Sequence, residues 1–418
     1  MCALHEEDAL RADWTEALRN RARDKLSHLS TQEMGLDLSR YGPTKQLDER
    51  LKGVASLPAG VIQASEAVGV VSDEKARSGT YFQMDTSAII KNASVEGLEV
   101  MSLEDAFERI DLRPYYWNAV KVDKDGFTSV VELYGKGGYV VVAKKGRNIE
   151  LPVQTCLFMR TNDLLQTPHN IIIAEEGSSV NIITGCTVMP EKAGLHIGVS
   201  EFYVGKRAKV TFTMVHSWTH DVHVRPRTGV MVDEGGTFIS HYVNLNPLSS
   251  LQMYPVVRLN GRDAKTSISS LIVGFGRSEM DVGSEIEFNA PSTRGEIMSK
   301  SVSTQESTIY ARGRLIANTD KVKGHLECRG IILNPKSKIH AVPELKGNAM
   351  DIELTHEASV GKLSQDQIYY LMSKGFSNDE ATSLLVRGFM QTKIEGIPRS
   401  LEAMISSVTD MVAKKAVG

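Results

Sequence analysis

Four cysteines, Cys2, Cys156, Cys186 and Cys328, are the side chains of this 418-residue sequence best suited to bind a soft metal or carry sulfur, because a thiolate does both. They are widely spaced and form no CxxC. Neither a zinc ribbon nor a dense disulfide framework is indicated, and free thiols in a reducing cytosol are the expectation. Cys328 lies in GHLECRGIIL, residues 324–333. At the two-residue period of a strand, Leu326, Cys328 and Gly330 share one face, while His325, Glu327 and Arg329 share the other. The thiol leans toward the apolar face, so any positive charge that activates it has to come from another segment or another chain. By position alone, a lone strand cysteine more often serves as a small buried hydrophobe. The same holds for Cys186 in ITGCTVMP.

Two other groups could ligate metal. His356 and Glu357, in ELTHEASVGKLS, pair an imidazole with a carboxylate, both ligands of first-row metals. Such a pair just ahead of a helix also reads as a solvated entry turn. In HSWTHDVHVRPR, residues 216–227, His216, His220 and His223 invite the same question. HxxxH spacing brings two imidazoles to one face only on a helix, and the surrounding strand texture argues against that.

The elements that must position these groups fall into three stretches. From Glu6 to about Leu29, apolar residues such as Leu10, Trp14, Leu18, Ala22 and Leu26 recur every three or four positions, which predicts an amphipathic helix. Residues 44–100 read as loops with weak strands, VGVV among them, and Ser102 can cap a short helix over 102–110. From about 116 to 345 the sequence becomes short alternating runs broken by Gly, Asn, Asp and Ser, with no helical stretch expected. Within it SSVNI at 178, AKVTF at 208, GTFIS at 236 and AKTSI at 264 recur at offsets of 30, 28 and 28 residues. Such a period predicts a β-solenoid, with a β-sandwich as the alternative. Stacked coils would then put Cys156, Cys186, His216 and Asn244 in one register column. After this, Ser364 with Gln367 and Ser377 with Glu380 set capping boxes for two helices, and the linker EGIPR leads to a last helix over about 400–415. The predicted divisions are 1–110, a mixed helical region; 111–345, the solenoid; and 346–418, a helical domain.

With 48 basic and 51 acidic side chains, the charge balance gives no support to a nucleic-acid or anionic-membrane partner. The N-terminus has no apolar signal-like run, and no segment is apolar over the roughly 18 residues needed to span a bilayer. A cytoplasmic protein is expected. There is no GxSxG, GxxxxGK[ST] or HExxH, and no GxGxxG opening a helix, so a self-contained hydrolase or nucleotide-binding enzyme is not expected.

FMRTN at 158, NIIIAEEGSSVNIITGCT at 170, VHSW at 215, HLECRGIIL at 325 and THEASVGKLSQDQIYYLMSKGFSNDEATSLLVRGF at 355 together resemble the SufB/SufD family of the SUF iron-sulfur cluster assembly system, over about residues 100–395. The resemblance implies a right-handed parallel β-helix with helical flanks. It also implies a non-enzymatic scaffold that works with SufC, an ABC-type ATPase docking on the C-terminal helices. Matched position by position, the cysteine linked to sulfur entry is Cys186. The cysteine linked to nascent-cluster assembly is Cys328, and His356 with Glu357 is the proposed cluster-ligand pair. Arg160, Asn162 and Trp218 match residues of a sulfur path, where His216 stands in place of the family's glutamine. The path's lysine has no clean match, with Arg225 or Arg227 as substitutes.

The cysteine-rich N-terminal motif of many SufB proteins is missing, and THEASVGKL mixes the Glu of SufB-like forms with the SVG run of SufD-like ones. The implied protein is a homodimer serving both roles. It would receive sulfur from a donor such as a cysteine desulfurase, assemble a transient iron-sulfur cluster and pass it to apo acceptor proteins, with flavin left open. The rivals are a SufD-like structural subunit without a cluster and a β-helix carbohydrate-active enzyme. The latter would need a groove of Asp, Glu and aromatic residues, and three Trp with no acidic cluster on the strands speak against it.

Overall fold

The alternating runs coil into a β-solenoid of about eight turns, with helices at both ends of the chain. This computed structural model describes residues 2–30, 34–43, 51, 53–391, 397 and 399–415. Among these residues the strands form two sheets, one of ten strands and one of thirteen, with nearly all pairs parallel. Ser179, Lys209, Thr237 and Lys265 stand opposite one another in register, as the recurrence of SSVNI, AKVTF, GTFIS and AKTSI requires. Alternation decides which side chains turn inward. On the strand Thr308–Ala317 every second residue is buried, and Val180, Phe212, Ile268 and Leu326 meet in one continuous core between the sheets. Each such side chain contributes about 1.5–3 kcal/mol on leaving water.

The polar clusters ahead of each repeat become corners. One corner per coil passes through the left-handed region, at Gly177 (φ +68°), Arg207 (+55°), Gly235 (+64°), Asp263 (+61°), Ser292 (+63°) and Lys321 (+61°). Four of these six carry a side chain in a conformation that disfavours one. On another edge, amides stack from coil to coil: Asn289 donates to Asn260 (2.9 Å), Asn318 to Asn289 (2.8 Å) and Asn348 to Asn318 (2.7 Å).

The first helix is Cys2–Ser27, and Ser102 caps Leu103–Arg109 by accepting from the Asp105 N–H. Several expectations are corrected. Residues 79–102 hold three well-formed strands rather than weak strands among loops, and Gly79–Met84 is buried throughout. VGVV is turn and extended chain, and Ala59–Glu66 is helical. Residues 44–50 and 52 of that stretch lie outside the described residues. A helix, Gly126–Tyr134, interrupts the region read as all strand. Its signal was local: Asp125 and Thr128 cap reciprocally, but nine residues, buried almost all round, show no polar stripe. The strand texture also continues past 345, through Lys338–Gly347 and Ile352–Gly361, so His356 and Glu357 sit on a strand and not in an entry turn.

At the C-terminus, Ser364 caps Gln365–Ser373, and Ser377 with Glu380 forms a full capping box for Asn378–Met390. Gly375, at φ +100°, turns the chain between them. Val386, Met390 and Val412 of the last two helices cover Val215, Val243, Leu271 and Val302 on the outer face of the ten-stranded sheet. Of the linker EGIPR, Ile397 and Arg399 are described and the rest lies outside the described residues.

Candidate functional site

Cys186 lies in the inward-facing row of Ser179–Val188, between Thr184 and Val188, and its parallel neighbour is His216, which in turn stands beside Asn244. The register column therefore holds for these three. It breaks at Cys156, which pairs with Gly185 while Leu157 pairs with Cys186. One residue of slip reverses the face, so Cys156 points outward, where its thiol meets Ser65 in a separate cluster.

Around Cys186 the interior is polar and closed. His216 Nδ1 shares a hydrogen bond with Tyr242 OH (2.8 Å), and its ring stands edge-on to Trp218 (5.3 Å between centroids). Trp218 also packs on His196 (5.2 Å), whose Nδ1 is 2.8 Å from Gln166 Oε1. Burial pushes the Cys186 thiol well up, holds His216 well below the usual imidazole range and lowers His196 to about 3. His216 Nε2, Trp218 Nε1 and Asn244 Oδ1 are buried without a hydrogen-bond partner. Three orphaned polar atoms in one chamber are unusual, because each costs about 1–3 kcal/mol.

Cys328 is placed as its strand period requires, buried at 1% exposure beside Leu326. Burial, with Glu327 adding a smaller push, raises its thiol to about 11. Between the two cysteines runs a file that the sequence did not reveal. On the inner face, Cys328 neighbours Ser299, then Ser270, then Tyr242, and Ser270 Oγ donates to Ser299 Oγ (3.2 Å). Tyr242 closes the file on His216, the neighbour of Cys186. The five strand steps between the two thiols span about 24 Å.

The ligand pair divides. His356 stands opposite Leu326 and so faces the interior side, one strand beyond and two residues from the Cys328 level; Glu357 stands opposite Glu327 and faces outward. Both are exposed on the last strand of their sheet. Arg160 and Asn162 lie in an exposed turn rather than along the interior: Arg160 is 3.8 Å from Asp85, and Asn162 donates to Asp163 (2.7 Å). What holds that turn is Asp85, 1% exposed, which accepts the backbone N–H of Arg160 (2.6 Å) and Thr161 (3.1 Å). His220 is in an exposed turn and His223 bonds Ser250 Oγ (2.6 Å), away from His216. Among the described residues, no group of three or more His, Cys, Asp and Glu side chains is placed to hold a metal ion.

Residues 157–389 match the family described as "SUF system FeS cluster assembly, SufBD core domain". The chain is 43% identical over 348 residues, 83% of its own length and 94% of the relative's, to an "Iron-sulfur cluster assembly SufBD family protein" of Archaeoglobus fulgidus. The chain belongs to the SufBD family. A second SufBD protein, from Methanothermobacter thermautotrophicus strain Delta H, is 40% identical over 90% of this chain and 95% of the relative. One from Staphylococcus epidermidis is 27% identical over 87% and 80%. SufBD membership gives the chain a role in iron-sulfur cluster assembly, as a component of an assembly system. No described helix is long and apolar enough to cross a membrane.

Proposed function

We propose that this chain is a scaffold on which a nascent iron-sulfur cluster forms. Sulfur enters at Cys186 and moves through the solenoid interior, and iron joins it at Cys328 with His356 and Glu357. The observation that carries this reading is the inner-face file from Cys186 through His216, Tyr242, Ser270 and Ser299 to Cys328. It is a polar line that links the two thiols through a core built mainly of apolar side chains. Because one chain does not bring Cys328, His356 and Glu357 to one point, the ligand set is completed across a two-fold axis, by a second copy docking on the last strands.

The ATPase partner, of SufC type, docks on the helices Gln365–Ser373 and Asn378–Met390. Ile368, Ala381, Val386 and Met390 of their stripes are buried, while Tyr369 (61%), Tyr370 (62%), Phe376 (42%) and Leu384 (44%) stay exposed. The protein works in the cytoplasm with a sulfur donor such as a cysteine desulfurase and with apo acceptor proteins. Anaerobic co-expression with that ATPase, followed by absorption and Mössbauer spectra, tests the assembly site. Cys328→Ser should lose most of the cluster, and an unchanged yield overturns its role.

The second reading, a SufD-like structural subunit, rests on one observation. Both inner thiols are buried and held in the protonated form, which is unreactive until something opens the coil.

A further inference from the structure

A cleft of about 530 Å³ lies between the first helix and the outer face of the thirteen-stranded sheet. It is distant in the fold from the file of inner residues. Trp14, Phe107 and Tyr116 form its aromatic wall, with Arg19 and Glu132 beside them and His169 also lining it. The wall rings pack on one another, Trp14 at 5.8 Å and Phe107 at 5.1 Å from Tyr116, and Tyr116 lies flat on His169 at 4.8 Å.

The histidine is unusually well held on one side and unheld on the other. Its Nε2 is 2.8 Å from Glu201 Oε1. Glu201, fully buried, also accepts the backbone N–H groups of Trp117 (2.6 Å), Ala119 (2.6 Å) and Val120 (3.0 Å). A carboxylate so supplied is an acceptor only, so Nε2 carries the proton and, in the neutral ring, Nδ1 keeps a lone pair. That Nδ1 is buried without a partner, in a residue only 3% exposed. Glu132 cannot serve it, because a carboxylate has no proton to donate to a lone pair, and its Oε2 itself accepts from Tyr116 OH and Trp117 Nε1, each at 2.7 Å.

We propose that this cleft is a binding site for a small aromatic molecule that donates one O–H or N–H to His169 Nδ1. Sites of this kind combine an apolar wall with a few fixed polar groups. The donor satisfies an atom that otherwise stays orphaned, so ligands lacking it are rejected.

Fluorine NMR of the full chain with three probes tests this. 4-Fluorophenol should broaden and shift on binding, 4-fluoroanisole, without the donor, should bind about tenfold more weakly, and 4-fluorobenzoate should not compete. His169→Phe should bring phenol down to the anisole level. Trp14→Ala, at a half-buried helix position that leaves Glu201 untouched, should weaken phenol and anisole together. Equal affinity of phenol and anisole, preference for the benzoate, or no binding of any probe overturns the proposal. Cluster yield in the Trp14→Ala protein reports separately on the scaffold reading.

Discussion

At Cys186 the solenoid is closed on every side. The strand Ser179–Val188 has neighbours to both sides in its sheet, and Val68 presses on Gly185 so closely that a Cβ there would lie 2.3 Å from a Val68 methyl. At Cys328 the same inward orientation and the same upward push on the thiol occur, yet only Ile352–Gly361 lies between that strand and the edge of the sheet. From Thr355 to Val360 that last strand is exposed throughout. Burial therefore silences both thiols, but what must move to reach them differs. Reaching Cys186 takes disruption of the core, whereas peeling one terminal strand reaches Cys328. Local opening at an unpaired edge is far less costly than global unfolding.

The largest effect expected from this difference is in alkylation. Iodoacetamide labelling of the isolated chain, read by peptide mass spectrometry, should modify Cys328 at least about 100-fold faster than Cys186 or Cys156, whose own thiol is raised to about 12. Where labelling proceeds through the near-native thiolate, the Cys328 rate should climb with pH toward about 11. Equal rates at the three sites would break the comparison, since all would then depend on the same opening.

The two ends also hold their turns with the same device at different depth. Asp85 accepts two backbone N–H groups and the Thr161 hydroxyl in the interior, while Asp320 accepts those of Met350 (3.0 Å) and Asp351 (2.9 Å) at the surface. Asp85→Ala should cost about 3 kcal/mol and Asp320→Ala about 1 kcal/mol or less in urea unfolding, because buried Asp85 accepts three hydrogen bonds and exposed Asp320 two. Equal losses would mean that the terminal coils are as cooperative as the middle.

Much of this frame was legible because a solenoid writes its period into the chain. SSVNI, AKVTF, GTFIS and AKTSI stack at the positions their recurrence indicates, and Cys186 therefore meets His216. The failure at Cys156 has the same origin: an offset carried back by one coil was one residue too long, and a period of two turns that error into the opposite face. His196, Tyr242, Ser270 and Ser299 left no local signal. Each reaches the site only through cross-coil register, so their strands read as ordinary alternating runs. Arg160 and Asn162 carried a motif, but where a turn points depends on its anchor, here Asp85, 75 residues earlier than Arg160.

The closed chamber should be the acid-sensitive part of the molecule. His196, lowered to about 3, and His216, also held low, are buried neutral. Their contribution to stability is complete above the unfolded value of about 6.5 and is lost as pH falls through that value toward the folded one, by at most about 1.4 kcal/mol per pH unit for each ring. His216→Gln, which can still bond Tyr242, should reduce the slope of urea-derived stability between pH 6 and 4 by about one ring's share. An unchanged slope would mean that the chamber admits water in the folded state.

The smallest effect separates two serines on one strand and one face. Ser299 accepts from Ser270, whereas Ser301, fully buried, has a hydroxyl without a partner. Its column runs from Ile272 to Gly330. Ser299→Ala should cost about 1 kcal/mol by orphaning Ser270, while Ser301→Ala removes an unpaid desolvation and should be neutral or stabilising by up to about 1 kcal/mol. Measured beside cluster yield, the pair distinguishes packing from passage. If Ser301 is a packing residue, Ser301→Ala keeps full yield in a protein at least as stable. If yield falls while stability holds or rises, its unsatisfied hydroxyl is retained for what moves along the interior, and the passage is wider than the file through Ser299 alone.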